Sequence, residues 1–135
     1  MDFRPLIELI EGHQRFVITS HVRPDGDAIG SEIAMAHLLE RHGRQAGVIN
    51  PSATPARLQF LDPSHRVKKI RADVSIDEAA DTDVFLILDT SSWQQLVDMG
   101  EVLRRSKAIR VVIDHHAIAD DLDAVEFKDT TAPAT

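Results

Sequence analysis

A chain of 135 residues, 43% hydrophobic and 27% charged, has material for one domain with a real core and too little for two. Its net charge of -7 argues against general duplex nucleic-acid binding, which needs clustered Lys and Arg, yet leaves room for a small phosphorylated substrate where a divalent cation supplies the positive charge. No cysteine is present, so disulfides and thiolate metal sites are excluded, and neither a basic-then-apolar leader nor a run nearing the roughly 18 apolar residues of a membrane span occurs, which reads as a soluble cytoplasmic protein.

In chain order, Phe3, Leu6, Ile7 and Ile10 fall at helical spacing, with Gly12 as a stop. Arg15–Ser20 is a β-branched run that predicts a buried strand, followed by the turn-forming His21-Val22-Arg23-Pro24-Asp25-Gly26-Asp27. Ala28 to His42 predicts a helix carrying Ile29, Ile33, Ala36 and Leu39 on one face, with Asp27 placed to cap its start and Gly43 its end. Gln45–Asn50 predicts a second strand; residues 51–66 are punctuated by proline, with a helical turn near Leu58; Val67–Ile70 predicts a third strand. Val84–Leu88 is the strongest strand, Trp93–Arg105 an amphipathic helix, and Ile109–Ile113 another apolar strand.

Strands alternating with helices, and strands that are apolar throughout, predict an α/β fold: a three-layer, doubly wound, mostly parallel sheet. Ligands in such sheets sit at the carboxyl ends of the strands. Three predicted strand ends carry chemistry-bearing residues: His21, Asp25 and Asp27 after the first, Asp89 after Val84–Leu88, and Asp114-His115-His116 after Val111-Val112-Ile113. Taken singly, each has an ordinary explanation: a solvated Asp-Gly turn with a helix cap, a loop aspartate, a pair of partly buried histidines. Their joint occurrence points elsewhere, because two divalent metals need about seven or eight ligand positions, often with one bridging carboxylate. Mixed carboxylate and imidazole ligation suits Mn²⁺ first, with Mg²⁺, Co²⁺ or Zn²⁺ compatible.

The string His21-Val-Arg-Pro-Asp25-Gly-Asp27-Ala-Ile-Gly30-Ser, then Leu-Asp89-Thr, then Asp114-His115-His116 resembles the DHH phosphoesterase superfamily. The resemblance is to its RecJ-like branch, which holds the NrnA-type bifunctional oligoribonucleases and 3'-phosphoadenosine-5'-phosphate phosphatases. It implies a hydrolase acting through hydroxide activated by two Mn²⁺ ions. By the same resemblance His21, Asp25 and Asp89 would hold one ion, Asp27, Asp89 and His115 the other, and Asp89 would bridge. His116 would contact the scissile phosphate, and Asp114 would orient the histidines. The implied partners are short single-stranded oligonucleotides or nucleotide phosphates, not duplexes or membranes, with a homodimer allowed. Manganese pyrophosphatases and exopolyphosphatases share the first motif and stay open as alternatives. So do an inactive metal-binding fragment and, from another class, a receiver-like signalling domain, although the latter would want a lysine where Asp114-His115-His116 stands.

The resemblance also implies a fourth aspartate motif and a glycine-rich C-terminal substrate domain. Asp120, Asp121, Asp123 and Asp129 come too early for that ligand, and the sequence runs to Thr130-Thr-Ala-Pro-Ala-Thr135. Residues 1–135 are therefore expected to be the N-terminal, metal-binding domain of a longer protein. His13, His37, His42 and His65 read as surface histidines. Arg66, Lys68, Lys69 and Arg71 read as a solvated strand edge, Arg104, Arg105 and Lys107 as a helix end, and Trp93 as core.

Overall fold

The structure, a computed structural model, describes residues 1–135. The elements are α1 (Arg4–Gly12), β1 (Arg15–Thr19), α2 (Gly26–Arg41), β2 (Gln45–Asn50), a 3₁₀ turn (Ala56–Leu61), β3 (Val67–Lys69), α3 (Ile76–Ala80), β4 (Val84–Leu88), α4 (Trp93–Leu96), α5 (Asp98–Arg105), β5 (Ile109–Asp114) and β6 (Val125–Lys128). The strands form one six-stranded sheet in the order β3-β2-β1-β4-β5-β6, and every pairing is parallel. That order is doubly wound: the chain builds outward from β1 through β2 and β3, then returns to β1's other side with β4.

Side chains alternate across the sheet and divide the core in two. On one face Phe16, Ile18, Val84, Leu86 and Leu88 pack with Leu6 and Ile10 of α1 and Ala36 and Leu39 of α2. On the other, Val17, Phe85 and Ile87 pack with Ala79 of α3, Leu96 of α4 and Met99, Val102 and Leu103 of α5. β4, central and covered on both faces, is buried along its whole length, which is why it reads as a continuous apolar run.

Four local readings need correction. The predicted helix over Trp93–Arg105 is broken at Val97, whose φ is 48°. A β-branched residue rarely adopts that conformation. Val97 lies out toward solvent at the break, while Leu96 and Met99 on either side of it are fully buried. α3 was not foreseen; its signal is the capping box Ser75-x-x-Glu78, in which Ser75 Oγ accepts from the Glu78 N–H at 3.1 Å and donates to Glu78 Oε1 at 3.0 Å. β6 was also missed, because only Phe127 of its four residues is buried and its lead-in is acidic. Finally, α2 begins at Gly26, so its cap is Asp25, whose Oδ1 accepts from the Ala28 N–H at 2.9 Å, and Asp27 lies in the first turn.

Candidate metal centre

The carboxyl ends of β1, β4 and β5 lie side by side in the sheet and bring together every residue singled out at those positions. Asp89 is the hub. It stands one residue past β4 with φ 62°, a left-handed conformation that Asp tolerates better than most residues, and it is buried. Its N–H donates to the Ile113 carbonyl at 3.0 Å, which fixes it against β5.

The two carboxylate oxygens of Asp89 face different partners. Oδ2 lies 3.3 Å from His21 Nε2, which is also 3.7 Å from Asp25 Oδ1. Oδ1 lies 3.1 Å from His115 Nε2, which is also 3.3 Å from Asp27 Oδ2. The ligand-type atoms of His21, Asp25 and Asp89 all lie within 4.8 Å of one another, as do those of Asp89, Asp114, His115 and His116.

The second nitrogen of each ring divides the histidines. His21 Nδ1 lies 2.9 Å from the Val22 carbonyl and His115 Nδ1 lies 3.2 Å from the Ala132 carbonyl. A carbonyl only accepts, so Nδ1 carries the hydrogen in both rings and Nε2 faces the carboxylates. An imidazole lone pair and a carboxylate repel at such distances unless a proton or a cation lies between them. Nδ1–H to a backbone carbonyl with Nε2 toward the centre is the arrangement metal-binding histidines commonly adopt. His116 is different: its Nδ1 lies 2.7 Å from Asp114 Oδ1, and half of its side chain is exposed.

Asp114 sits behind the face, buried, and its oxygens are saturated. Oδ1 accepts from the N–H groups of His115 (2.8 Å) and His116 (3.2 Å) as well as the His116 ring, and Oδ2 accepts from Ser91 Oγ at 2.7 Å. Lys128 Nζ, on β6, is 3.6 Å from Oδ2 and donates to Ser91 Oγ at 3.4 Å. Burial pushes the Asp114 carboxyl up, but the Ser91, His116 and backbone donors outweigh it and hold the pKa below the usual range. Asp89 follows the same balance, with burial opposed by His21, Asp27 and Thr135. The Asp89 carboxylate raises the His21 pKa to about 9, and His115 is also raised, its desolvation being overcome by the Ala132 carbonyl and by Asp89 and Asp27.

Thr135 also reaches the centre, its N–H 3.0 Å from both Asp27 oxygens and its hydroxyl 3.1 Å from Asp89 Oδ1. Ser91, Lys128 and Thr135 went unremarked in the sequence. Only Lys128 left a signal, as a charge closing the alternation Val125-Glu126-Phe127-Lys128. The other histidines lie elsewhere; His13 Nδ1 is tied to the Leu9 carbonyl at 2.8 Å and His65 Nδ1 to Gln59. The later aspartates are engaged elsewhere: Asp120 accepts from the Trp93 N–H at the start of α4, while Asp121 and Asp129 organise their own loops by accepting from the Asp123 and Thr131 N–H groups. Of the basic strand edge, Arg66 pairs with Glu40 and Arg71 with Asp98 and Glu101. Trp93 packs against the core half-buried, with the Arg104 guanidinium 4.1 Å over its ring.

Beside the centre is a cavity of about 360 Å³ lined by His21, Asp25, Asp89, His116 and the polar group Thr90, Ser91, Ser92 and Gln95, with Ile118 as its one apolar wall.

The profile of the DHH family, N-terminal domain, matches residues 15–135. The chain belongs to the DHH family. Among relatives of this DHH domain are a probable manganese-dependent inorganic pyrophosphatase of Staphylococcus carnosus, 34% identical over 108 residues (76% of this chain, 32% of that protein). The pyrophosphatase of the same description from Enterococcus faecalis is 27% identical over 107 residues (78% and 32%). The bifunctional oligoribonuclease and PAP phosphatase NrnA of Mycoplasma genitalium is 25% identical over 118 residues (87% and 35%). The crystal structure of an exopolyphosphatase-related protein from Bacteroides fragilis superimposes with a TM-score of 0.89 at 26% identity, covering 96% of this chain and 39% of that one. The chain thus spans about a third of the length of the curated relatives it matches. Family membership sets the receiver-like reading aside. Its hydrolase relatives and the Asp/His cluster support a metal-dependent phosphoesterase class, and no helix is long and apolar enough to cross a membrane.

Proposed function

We propose that this DHH domain supplies the two-metal half of a phosphoesterase acting on short single-stranded oligonucleotides or on nucleotide phosphates such as 3'-phosphoadenosine 5'-phosphate. The observation that carries the reading is the division of Asp89, one oxygen toward His21 and Asp25 and the other toward His115 and Asp27. The donor set is all oxygen and imidazole, which fits Mn²⁺. His21, Asp25 and Asp89 would hold one ion and Asp27, Asp89 and His115 the other, with Asp89 shared. When bound, such a pair activates water and neutralises charge developing on the phosphoryl oxygens. Asp114 holds the His116 ring by Nδ1 and leaves Nε2 for the scissile phosphate.

The adjoining cavity supports a nucleotide over inorganic pyrophosphate. Its wall contains hydroxyls, an amide and one isoleucine but neither lysine nor arginine, which suits a sugar and base better than a second highly charged phosphate. The pyrophosphatase and exopolyphosphatase reading rests instead on the names of relatives. One assay separates the two: product formation with Mn²⁺, read as phosphate released from 3'-phosphoadenosine 5'-phosphate and from pyrophosphate and as mononucleotide released from a 5'-phosphorylated adenine dinucleotide. The expected order is nucleotide substrates well above pyrophosphate; pyrophosphate hydrolysis alone would overturn the proposal.

A further inference from the structure

Behind the metal-facing residues runs a second, fully buried layer. Glu32, on α2, has no exposed surface, and its Oε1 accepts from Asn50 Nδ2 at 2.8 Å. Asn50 ends β2, and its Oδ1 accepts from the Ser20 N–H at 3.0 Å. Ser20 Oγ in turn donates to the Leu88 carbonyl at 2.7 Å. The chain of bonds therefore passes from α2 through β2 to the residues immediately before His21 and Asp89. Every link is buried, so water does not compete for it.

This arrangement is costly as a purely structural device. Glu32 Oε2 is buried without any hydrogen-bond partner. Burial pushes the carboxyl up to about 8, against the smaller opposing pull of Asn50 and His21, so near neutrality it keeps its proton. An apolar side chain of similar size would fill the same space without the unsatisfied oxygen. What an apolar residue cannot do is fix which way the Asn50 amide points. With Nδ2 anchored on Glu32, Oδ1 must face Ser20.

We propose that Glu32 and Asn50 are positioning residues that set the separation of His21 and Asp89 and thereby the affinity of the His21 side of the centre. The inference rests on the reading of that centre as a metal site. It predicts asymmetry: the His115–Asp27 side has its own supports, Ala132 and Asp114, and meets this layer only through the shared Asp89.

The test compares Glu32→Leu, Glu32→Gln and Asn50→Leu with wild type. Mn²⁺ binding is followed by calorimetry, and the affected side is identified by repeating each titration in a His21→Ala or a His115→Ala background, which leaves one side to bind. Glu32→Leu and Asn50→Leu should weaken Mn²⁺ about 10–100-fold on the His21 side only. They should also speed hydrogen exchange of the Ser20 amide in metal-free protein, without lowering the melting temperature of Glu32→Leu. Glu32→Gln, which keeps the acceptor for Asn50, should restore wild-type behaviour on both counts. Equal loading of both sides in Glu32→Leu with unchanged Ser20 protection would overturn the inference. So would equal loss on both sides, the mark of general loosening. A wild-type chain that takes up no Mn²⁺ would instead sink the metal-centre reading, and the metal-free Ser20 exchange and His21 ring signals would still decide whether Glu32 positions this turn.

Discussion

Asp89 Oδ1 lies 3.1 Å from His115 Nε2, so the residue closing β4 and the residue following β5 share a single interaction across neighbouring strands. The other oxygen of the same carboxylate does the equivalent for His21. If the proposed two-metal reading holds, substitution at Asp89 should act on both metals at once. Asn is the replacement of choice, since it tolerates the positive φ while removing the charge. Asp89→Asn should reduce calorimetric Mn²⁺ binding by at least about 100-fold at both sites; one intact tight site would contradict the shared role.

His116 is held through Nδ1 and exposed on its other side, so its removal should spare the metals. In the presence of saturating Mn²⁺, His116→Ala should lower kcat on a 5'-phosphorylated dinucleotide by about 100-fold or more, with Mn²⁺ affinity within a few-fold of wild type. Unchanged turnover would remove His116 from the reaction.

Asp114 touches both histidines of the run and is backed by Ser91 and Lys128. Lys128→Met should leave metal binding intact and reduce kcat about 3–10-fold, because the ammonium lies 3.6 Å from Asp114 Oδ2 and donates to the Ser91 hydroxyl that holds that carboxylate in place. Asp114→Asn should be more severe, by about 10–100-fold, since it removes the charge from the acceptor that holds the His116 ring itself. Steady-state kinetics on both variants checks the ranking, and a reversed order would place the weight on Lys128 rather than Asp114.

Glu32 makes metal-free stability fall as pH rises. Its proton is retained up to about 8 in the folded chain but lost near 4.5 when unfolded. Between these values the unfolded state binds fewer protons, so stability declines by up to about 1.4 kcal/mol per pH unit, fully present below the lower value and gone above the higher. His21, raised from 6.5 to about 9, adds a slope of the same sign over its own range. Urea melts in chelator at about pH 5.5 and about pH 8 should show the decline, and Glu32→Gln should remove the Glu32 share of it. Parallel pH profiles for the two proteins would show that Glu32 is ionised in both states.

The sequence discloses most where one physical cause acts alone. β4 is buried on both faces, and its limits Val84 and Leu88 are those of its apolar run. The helix over Trp93–Arg105 was legible as a helix but not as a broken one, because periodicity averages over the single residue, Val97, at which the backbone turns. At the centre, His21, Asp25, Asp27, Asp89 and Asp114–His116 could be gathered because they occur jointly at three predicted strand ends. Asn50 and Glu32 could not. A strand-ending asparagine and a helical glutamate are ordinary in sequence, and only the packing of α2 onto β2 reveals that both are buried and joined.

The strand order has a consequence for how the protein reaches its working form. His21, Asp25 and Asp27 belong to the first quarter of the chain, whereas Asp89 and His115 come after the return across the sheet, and the two groups meet only where Phe16–Thr19 aligns with Val84–Ile87. No short peptide cut from either half would contain a complete ligand set. Pairing β1 with β4 closes a long loop, a step that is slow because its entropy is lost before its contacts form. On the proposed metal reading, capture would wait for that closure, so Mn²⁺ would act by holding the assembled sheet and slowing its opening rather than by templating its formation. Uptake of the ion would then serve as a clock for the last stage of folding.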